Sequence, residues 1–86
     1  MIKLGYLWGK ESFHLKLSLV CPCYNEQDII EEFYSAATEA LGGLDGGYEL
    51  IFINDGSRDG TWKKLKAISE RGDGVNIKLI NFSRNF

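Results

Sequence analysis

Short apolar runs alternate with amphipathic stretches along this chain. Leu15 to Cys21 reads LKLSLVC and is closed by Pro22, which predicts a buried strand ending about there, since proline brings no N–H to a ladder. The period then changes to threes and fours: Ile30, Phe33, Ala37, Ala40 and Leu41 fall on one helical face. Asn25 stands where an N-cap is expected, with Asp28 three residues on, and Gly42-Gly43 supply a stop. Glu49 to Asn54 (ELIFIN) holds four consecutive apolar residues, the pattern of a strand buried on both sheet faces. After the turn Asp55-Gly56-Ser57, a second helix is predicted over 60–71, capped by Asp59, with Trp62, Leu65 and Ile68 inward and Gly72 at its end. Val75 to Phe82 reads as a third strand. Residues 1–14 mix aromatic residues, glycine and lysine with no clean period and are expected to form an irregular extension, leaving 15–86 as the folded unit. The order β-α-β-α-β implies parallel strands joined by right-handed crossovers.

Composition narrows the function. With 86 residues, 44% hydrophobic and 26% charged, the chain is globular and holds one modest core. A net charge of −2 and a pI near 5.3 give no broad cationic footprint, so nucleic acid is excluded as a partner. The uncharged stretch Leu4 to Gly9 falls far short of the roughly 18–20 apolar residues of a membrane span; it is also shorter than the apolar core of about 7–15 residues in a signal peptide, and no small-residue cleavage site follows. No membrane segment is therefore expected, and the cytoplasm is the default location. Cys21 and Cys23 point to the same face, where a disulfide across one residue would be strained. His14 is the only histidine, too few partners for a metal site, so the cysteines read as small buried apolar residues of a reducing compartment.

In an open parallel sheet, ligands bind outside the carboxyl ends of the strands. That rule selects Pro22 to Glu26, Asn54 to Asp59, and Phe82 to Phe86, which gather Tyr24, Asn25, Glu26, Asp55, Ser57, Arg58, Asp59, Ser83, Arg84 and Asn85 at one edge. A carboxylate at a strand end, such as Asp55, accepts hydrogen bonds from a nucleobase or ribose, and two helix N-termini offer N–H donors to anions. The edge suits a nucleotide. Other nucleotide and metal motifs do not fit. The first β–α turn, Pro22-Cys23-Tyr24-Asn25-Glu26, has no glycine for a dinucleotide fingerprint, and no P-loop occurs. Asp55 to Gly60 imitates an EF-hand start, but Lys66 stands at the twelfth position and a strand precedes the loop. No Ser–His–Asp or Cys–His set can be assembled, so no catalytic residue and no metal ligand is assigned.

These residues resemble a known family. Leu17 to Glu26 (LSLVCPCYNE) is similar to the opening strand and P-x-Y-N-E turn of family 2 glycosyltransferases, and Ile53 to Thr61 (INDGSRDGT) to that family's second-strand turn. Ser83-Arg84-Asn85-Phe86 resembles the start of the S-R-N-F-G-K segment of its polyprenyl-phosphate branch, the enzymes akin to dolichol-phosphate mannosyltransferase and bactoprenol glucosyltransferase. The resemblance covers Lys16 to Phe86. It implies the β-α-β-α-β half of a GT-A, Rossmann-like parallel sheet, in strand order 3-2-1 and truncated before the fourth strand. It also implies a nucleotide-sugar donor, UDP- or GDP-linked, whose sugar is transferred with inversion, with a lipid phosphate as acceptor in the polyprenyl-phosphate branch. By this resemblance Pro22, Tyr24 and Glu26 line the nucleotide pocket, Asp55 contacts the base, and Arg84 lies near the pocket floor or the diphosphate.

The sequence has no D-x-D, the motif that in this family follows the fourth strand and holds Mg²⁺ or Mn²⁺ against the donor diphosphate. The 86 residues alone are thus expected to bind no metal cofactor and to lack transfer activity, with the metal expected in a full-length parent at the cytoplasmic face of the membrane. A stand-alone, non-catalytic α/β module that binds a nucleotide or a partner is the alternative. In order 3-2-1 the first strand would be an edge, exposing Leu17 and Leu19 and leaving the chain marginally stable and prone to pairing.

Overall fold

The apolar runs become three parallel strands, and a fourth strand that the sequence pattern did not announce joins them. The computed structural model describes residues 5–11, 14–44 and 47–82. Its elements are β1 (Gly5–Glu11), β2 (His14–Cys23), α1 (Ile30–Leu41), β3 (Tyr48–Asp55), α2 (Thr61–Ser69) and β4 (Asn76–Phe82). They build one sheet in the order β1-β2-β3-β4. β2, β3 and β4 are parallel, in the expected 3-2-1 arrangement of a Rossmann-like half-sheet.

β1 corrects two expectations. The segment expected to be irregular contributes a strand antiparallel to β2, in register from Gly5↔Val20 to Glu11↔His14. β2 therefore has a neighbour on both sides from Leu17 to Val20. Leu17 and Leu19, expected to lie bare on an edge, are 4% and 5% exposed. The strand escapes a periodicity search because Gly5-Tyr6-Leu7-Trp8-Gly9 does not alternate apolar with polar. Ser12-Phe13 also carries none of the Asn-Gly or Asp-Gly signals of a tight hairpin. β2 also runs through Pro22 to Cys23, beyond Val20, the last residue it pairs with described residues of β1. Among the described residues Pro22 has a neighbour on one side only, where a proline's missing N–H is tolerated.

The parallel ladders set Leu19, Cys21 and Cys23 beside Leu50 and Phe52 on one face. There they pack with Ile30, Tyr34 and Ala37 of α1 and with Leu65 and Ile68 of α2. Phe33 meets Phe52 edge to face, with centroids 6.2 Å apart at 82°, the favoured geometry of ring quadrupoles. Both helices lie on this face, so ELIFIN is not buried on both sides as expected. Leu50 and Phe52 are buried, whereas Ile51 and Ile53 are half-buried on the face that no described helix covers. That second face also carries a polar row across three strands. Ser18 Oγ donates to Glu49 Oε1 at 2.6 Å, and Lys78 Nζ stands 3.3 Å from Glu49 Oε2.

The helices differ from expectation at their ends. α1 turns Tyr34 inward and leaves Ala40 exposed. Asn25 does not cap it. The Glu26 carbonyl instead accepts the N–H groups of Ile29 and Ile30, both at 3.1 Å. Glu31 and Glu32 in the first turn favour the positive end of the helix dipole. Gly42 stays right-handed, with φ −60°, so the helix stop does not use the freedom of glycine. Gly72, after α2, does use it, with φ +72°. Between the helices, the Tyr34 hydroxyl donates to Asp73 Oδ2 at 3.0 Å, and Arg71 pairs with Glu31 while lying over the Tyr34 ring.

Candidate functional site

The carboxyl ends of β2, β3 and β4 form one edge. Register sets Pro22 beside Ile53, Cys23 beside Asn54, and Asp55 beside Phe82. The loops leaving β2 and β3 are therefore neighbours, and side chains tie them together. Asn25 takes φ +52°, a left-handed conformation that asparagine tolerates better than most residues. Its N–H donates to Ser57 Oγ at 3.0 Å, and its Oδ1 accepts the Arg58 N–H at 2.8 Å. Two residues on, the Gln27 N–H donates to Asp59 Oδ2 at 3.3 Å, while Gln27 Oε1 accepts the Gly60 N–H at 2.7 Å. Between these ties the Glu26 N–H donates to the buried Thr61 Oγ1 at 2.8 Å.

Asp59 completes the junction. Its Oδ1 accepts both the N–H and the hydroxyl of Thr61, the first residue of α2; the N-cap is Gly60 and not Asp59 as expected, so Asp59 steadies the helix start from one residue further out. Partial burial pushes its carboxyl pKa up. The hydrogen bonds from Thr61 and Gln27 favour the ionised form and outweigh that push, so the pKa lies below the ordinary value of 3.8. A second tie links β3 to β4. Asn54, 4% exposed, donates from Nδ2 to Asn81 Oδ1 at 2.8 Å, and its Oδ1 accepts the Ser57 N–H at 3.4 Å.

The site residues expected from sequence are distributed around this junction. Pro22 and Tyr24 are exposed, Tyr24 by 50%, and Asp55 is half-buried at the end of β3. Glu26 is only 7% exposed and sits inside the junction. The structure thus brings Pro22, Tyr24, Glu26 and Asp55 to one edge, while Arg84 lies outside the described residues. The strand-end rule reaches Phe82 but not Gln27, Thr61 or Asn81. Asn54 and Asn81, polar residues near the ends of two apolar strands, were the readable sign of the second tie. Cys21 and Cys23 are free thiols, buried as expected. Burial pushes Cys21 up to about 12, with Cys23 adding to the effect; burial also pushes Cys23 up to about 11, with the Glu26 charge adding to it. Neither is a nucleophile at neutral pH.

The architecture is thus a Rossmann-like parallel half-sheet whose two β–α loops are joined at the strand ends. A comparison with known families gives it a more particular place. The model of glycosyl transferase family 2 matches residues 18–86, and the chain belongs to that family. It is 43% identical over 72 residues to an uncharacterized glycosyltransferase of Synechocystis, covering 84% of this chain and 22% of that protein. It is 39% identical over 57 residues to the dolichol-phosphate mannosyltransferase of Pyrococcus furiosus, covering 66% and 16%. Against the bactoprenol glucosyl transferase of Shigella phage SfV it is 38% identical over 72 residues, covering 84% and 23%. The chain spans about a fifth of the length of the curated relatives it matches. Among the described residues no helix is long and apolar enough to cross a membrane.

Proposed function

We propose that this chain forms the donor-binding part of an inverting glycosyltransferase and holds a UDP- or GDP-linked sugar at the carboxyl edge of β2, β3 and β4. The observation that carries this reading is the junction of the two loops. Five hydrogen bonds cross from residues 25–27 to residues 57–61, so the walls of the edge are fixed before any ligand arrives. A preorganised wall lowers the ordering cost of binding, which is what a nucleotide cradle needs. In this arrangement Pro22, Tyr24 and Glu26 line the nucleotide, Asp55 accepts hydrogen bonds from the base, and Arg84 serves the diphosphate.

The acceptor in this reading is a polyprenyl phosphate, supported by the dolichol-phosphate and bactoprenol relatives. A phosphate oxygen is already ionised and attacks the anomeric carbon with little help from a base, so no catalytic base is assigned among these residues. A divalent cation, when bound, would offset charge on the leaving nucleoside diphosphate. Among the described residues no group of three or more His, Cys, Asp or Glu side chains could hold a metal ion. The expected Mg²⁺ or Mn²⁺ has no seat there, and no step is assigned through it. In this reading the working protein meets its lipid-linked acceptor at the cytoplasmic face of a membrane.

Titration with UDP, GDP and their sugars tests the reading. Saturable binding is expected, and Asp55→Ala abolishes it. Unchanged affinity in Asp55→Ala would refute the role of that residue, and no binding at millimolar nucleotide would refute the site.

A further inference from the structure

We propose that Phe82 is the platform on which the base of the bound nucleotide stacks, while Asp55 reads the hydrogen-bonding rim of that base. This rests on the nucleotide reading above, which already gives Asp55 the base, and adds to it the side chain on which the base lies. Asp55 and Phe82 are the last residues of β3 and β4 and are paired in register. One step earlier, Asn54 and Asn81 are also paired, and their side chains join. Asn54 is buried on the same face as Phe52, the face the helices cover. Alternation along a strand sends Asp55 and Phe82 to the other face. There, among the described residues, no helix covers them.

Phe82 is 54% exposed, more than Tyr24, Ile80 or Ile29, the other large apolar side chains that lie open among the described residues. The apolar surface continues inward from it. Ile80, 41% exposed, is paired with Ile53, and Ile53 with Pro22. A row of three apolar side chains thus leads up to an aromatic ring, and a carboxylate stands beside that ring. The chemistry of this combination selects among ligands. A flat aromatic face attracts a planar ring and gives a phosphate nothing to bond. A carboxylate repels phosphate and accepts hydrogen bonds from N–H groups. Together they fit a heteroaromatic base that presents ring N–H donors, as uracil and guanine do.

The test is a titration of the 86-residue protein with UDP, GDP, uridine, guanosine and inorganic pyrophosphate, comparing wild type with Phe82→Leu and Phe82→Trp. Stacking on an aromatic side chain is worth enough that Phe82→Leu should weaken nucleotide and nucleoside binding about tenfold, leaving any pyrophosphate affinity unchanged. Phe82→Trp should retain nucleotide affinity and gain emission, beyond that of Trp8 and Trp62, that the nucleotide quenches. Since Phe82 lies open, unchanged melting of both variants is expected and checks that the fold is intact. Nucleotide binding by Phe82→Leu equal to wild type would overturn the platform and leave the site standing. Equal weakening for pyrophosphate would also overturn it, because the effect would not belong to the base. Absence of nucleotide binding to wild type would overturn both the nucleotide reading and the platform.

Discussion

Replacing Thr61 by valine keeps the shape of the side chain and removes one hydroxyl. Thr61 is fully buried and takes part in two bonds through that oxygen, accepting the Glu26 N–H at 2.8 Å and donating to Asp59 Oδ1. In Thr61→Val the Glu26 N–H keeps its burial and loses its acceptor, a cost of about 1–3 kcal/mol. Losing the donor to an ionised carboxylate costs about 1.5–3 kcal/mol by itself. The two losses share one oxygen and do not add fully, so the expected destabilisation is roughly 2–4 kcal/mol. That loss lowers the melting temperature by about 10–30 °C and is a large share of the usual 5–15 kcal/mol for a domain of this size. Urea unfolding followed by far-UV circular dichroism measures it. Thr61→Ser is the control: it keeps the hydroxyl, loses one methyl group, and should cost about 1 kcal/mol. If the valine variant proves as stable as the serine variant, the hydroxyl does not hold the loops together.

Asn25 separates backbone strain from the tie to Arg58. Asn25→Asp keeps both the acceptor and tolerance of φ +52° and should fold as stably as wild type, whereas Asn25→Ala loses both and should drop by about 1–2 kcal/mol in urea midpoint analysis. Asn25→Gly loses only the acceptor and should fall between them; equal stability of the glycine and alanine variants would refute the strain. Asp59 makes stability depend on acid. Its folded-state pKa lies below the unfolded value, so its contribution is fully present above the unfolded pKa and is lost as pH falls through the folded one. The urea midpoint of wild type should therefore fall more than that of Asp59→Asn between about pH 5 and pH 2, and parallel curves would contradict the assignment.

The parallel core was legible because its signals are local. LKLSLVC, ELIFIN and VNIKLINF are apolar runs between turn residues, and Leu65 and Ile68 follow a helical period. β1 was not legible, because its pairing depends on a neighbour in space and its residues neither alternate nor end in a hairpin signal. At the site, the strand-end rule located Tyr24 and Asp55. It could not tell that Asn25 would tie one loop to the other, since an asparagine before a helix reads equally as a cap. The hydrogen bonds of Gln27 and Thr61 escaped for the same reason: each reaches a partner more than thirty residues away. Burial of Ile51 and Ile53 was overestimated because a run of apolar residues says nothing about how many helices arrive to cover a face.

The most direct test of the account is a map of backbone amide shifts in the 86-residue protein as UDP or GDP is added. Saturable changes are expected at Tyr24 to Gln27, Asp55 to Thr61, and Asn81 and Phe82. Changes confined to the groove that Trp62, Lys63, Lys66 and Ala67 of α2 form with Glu70, or no change at all, would contradict it.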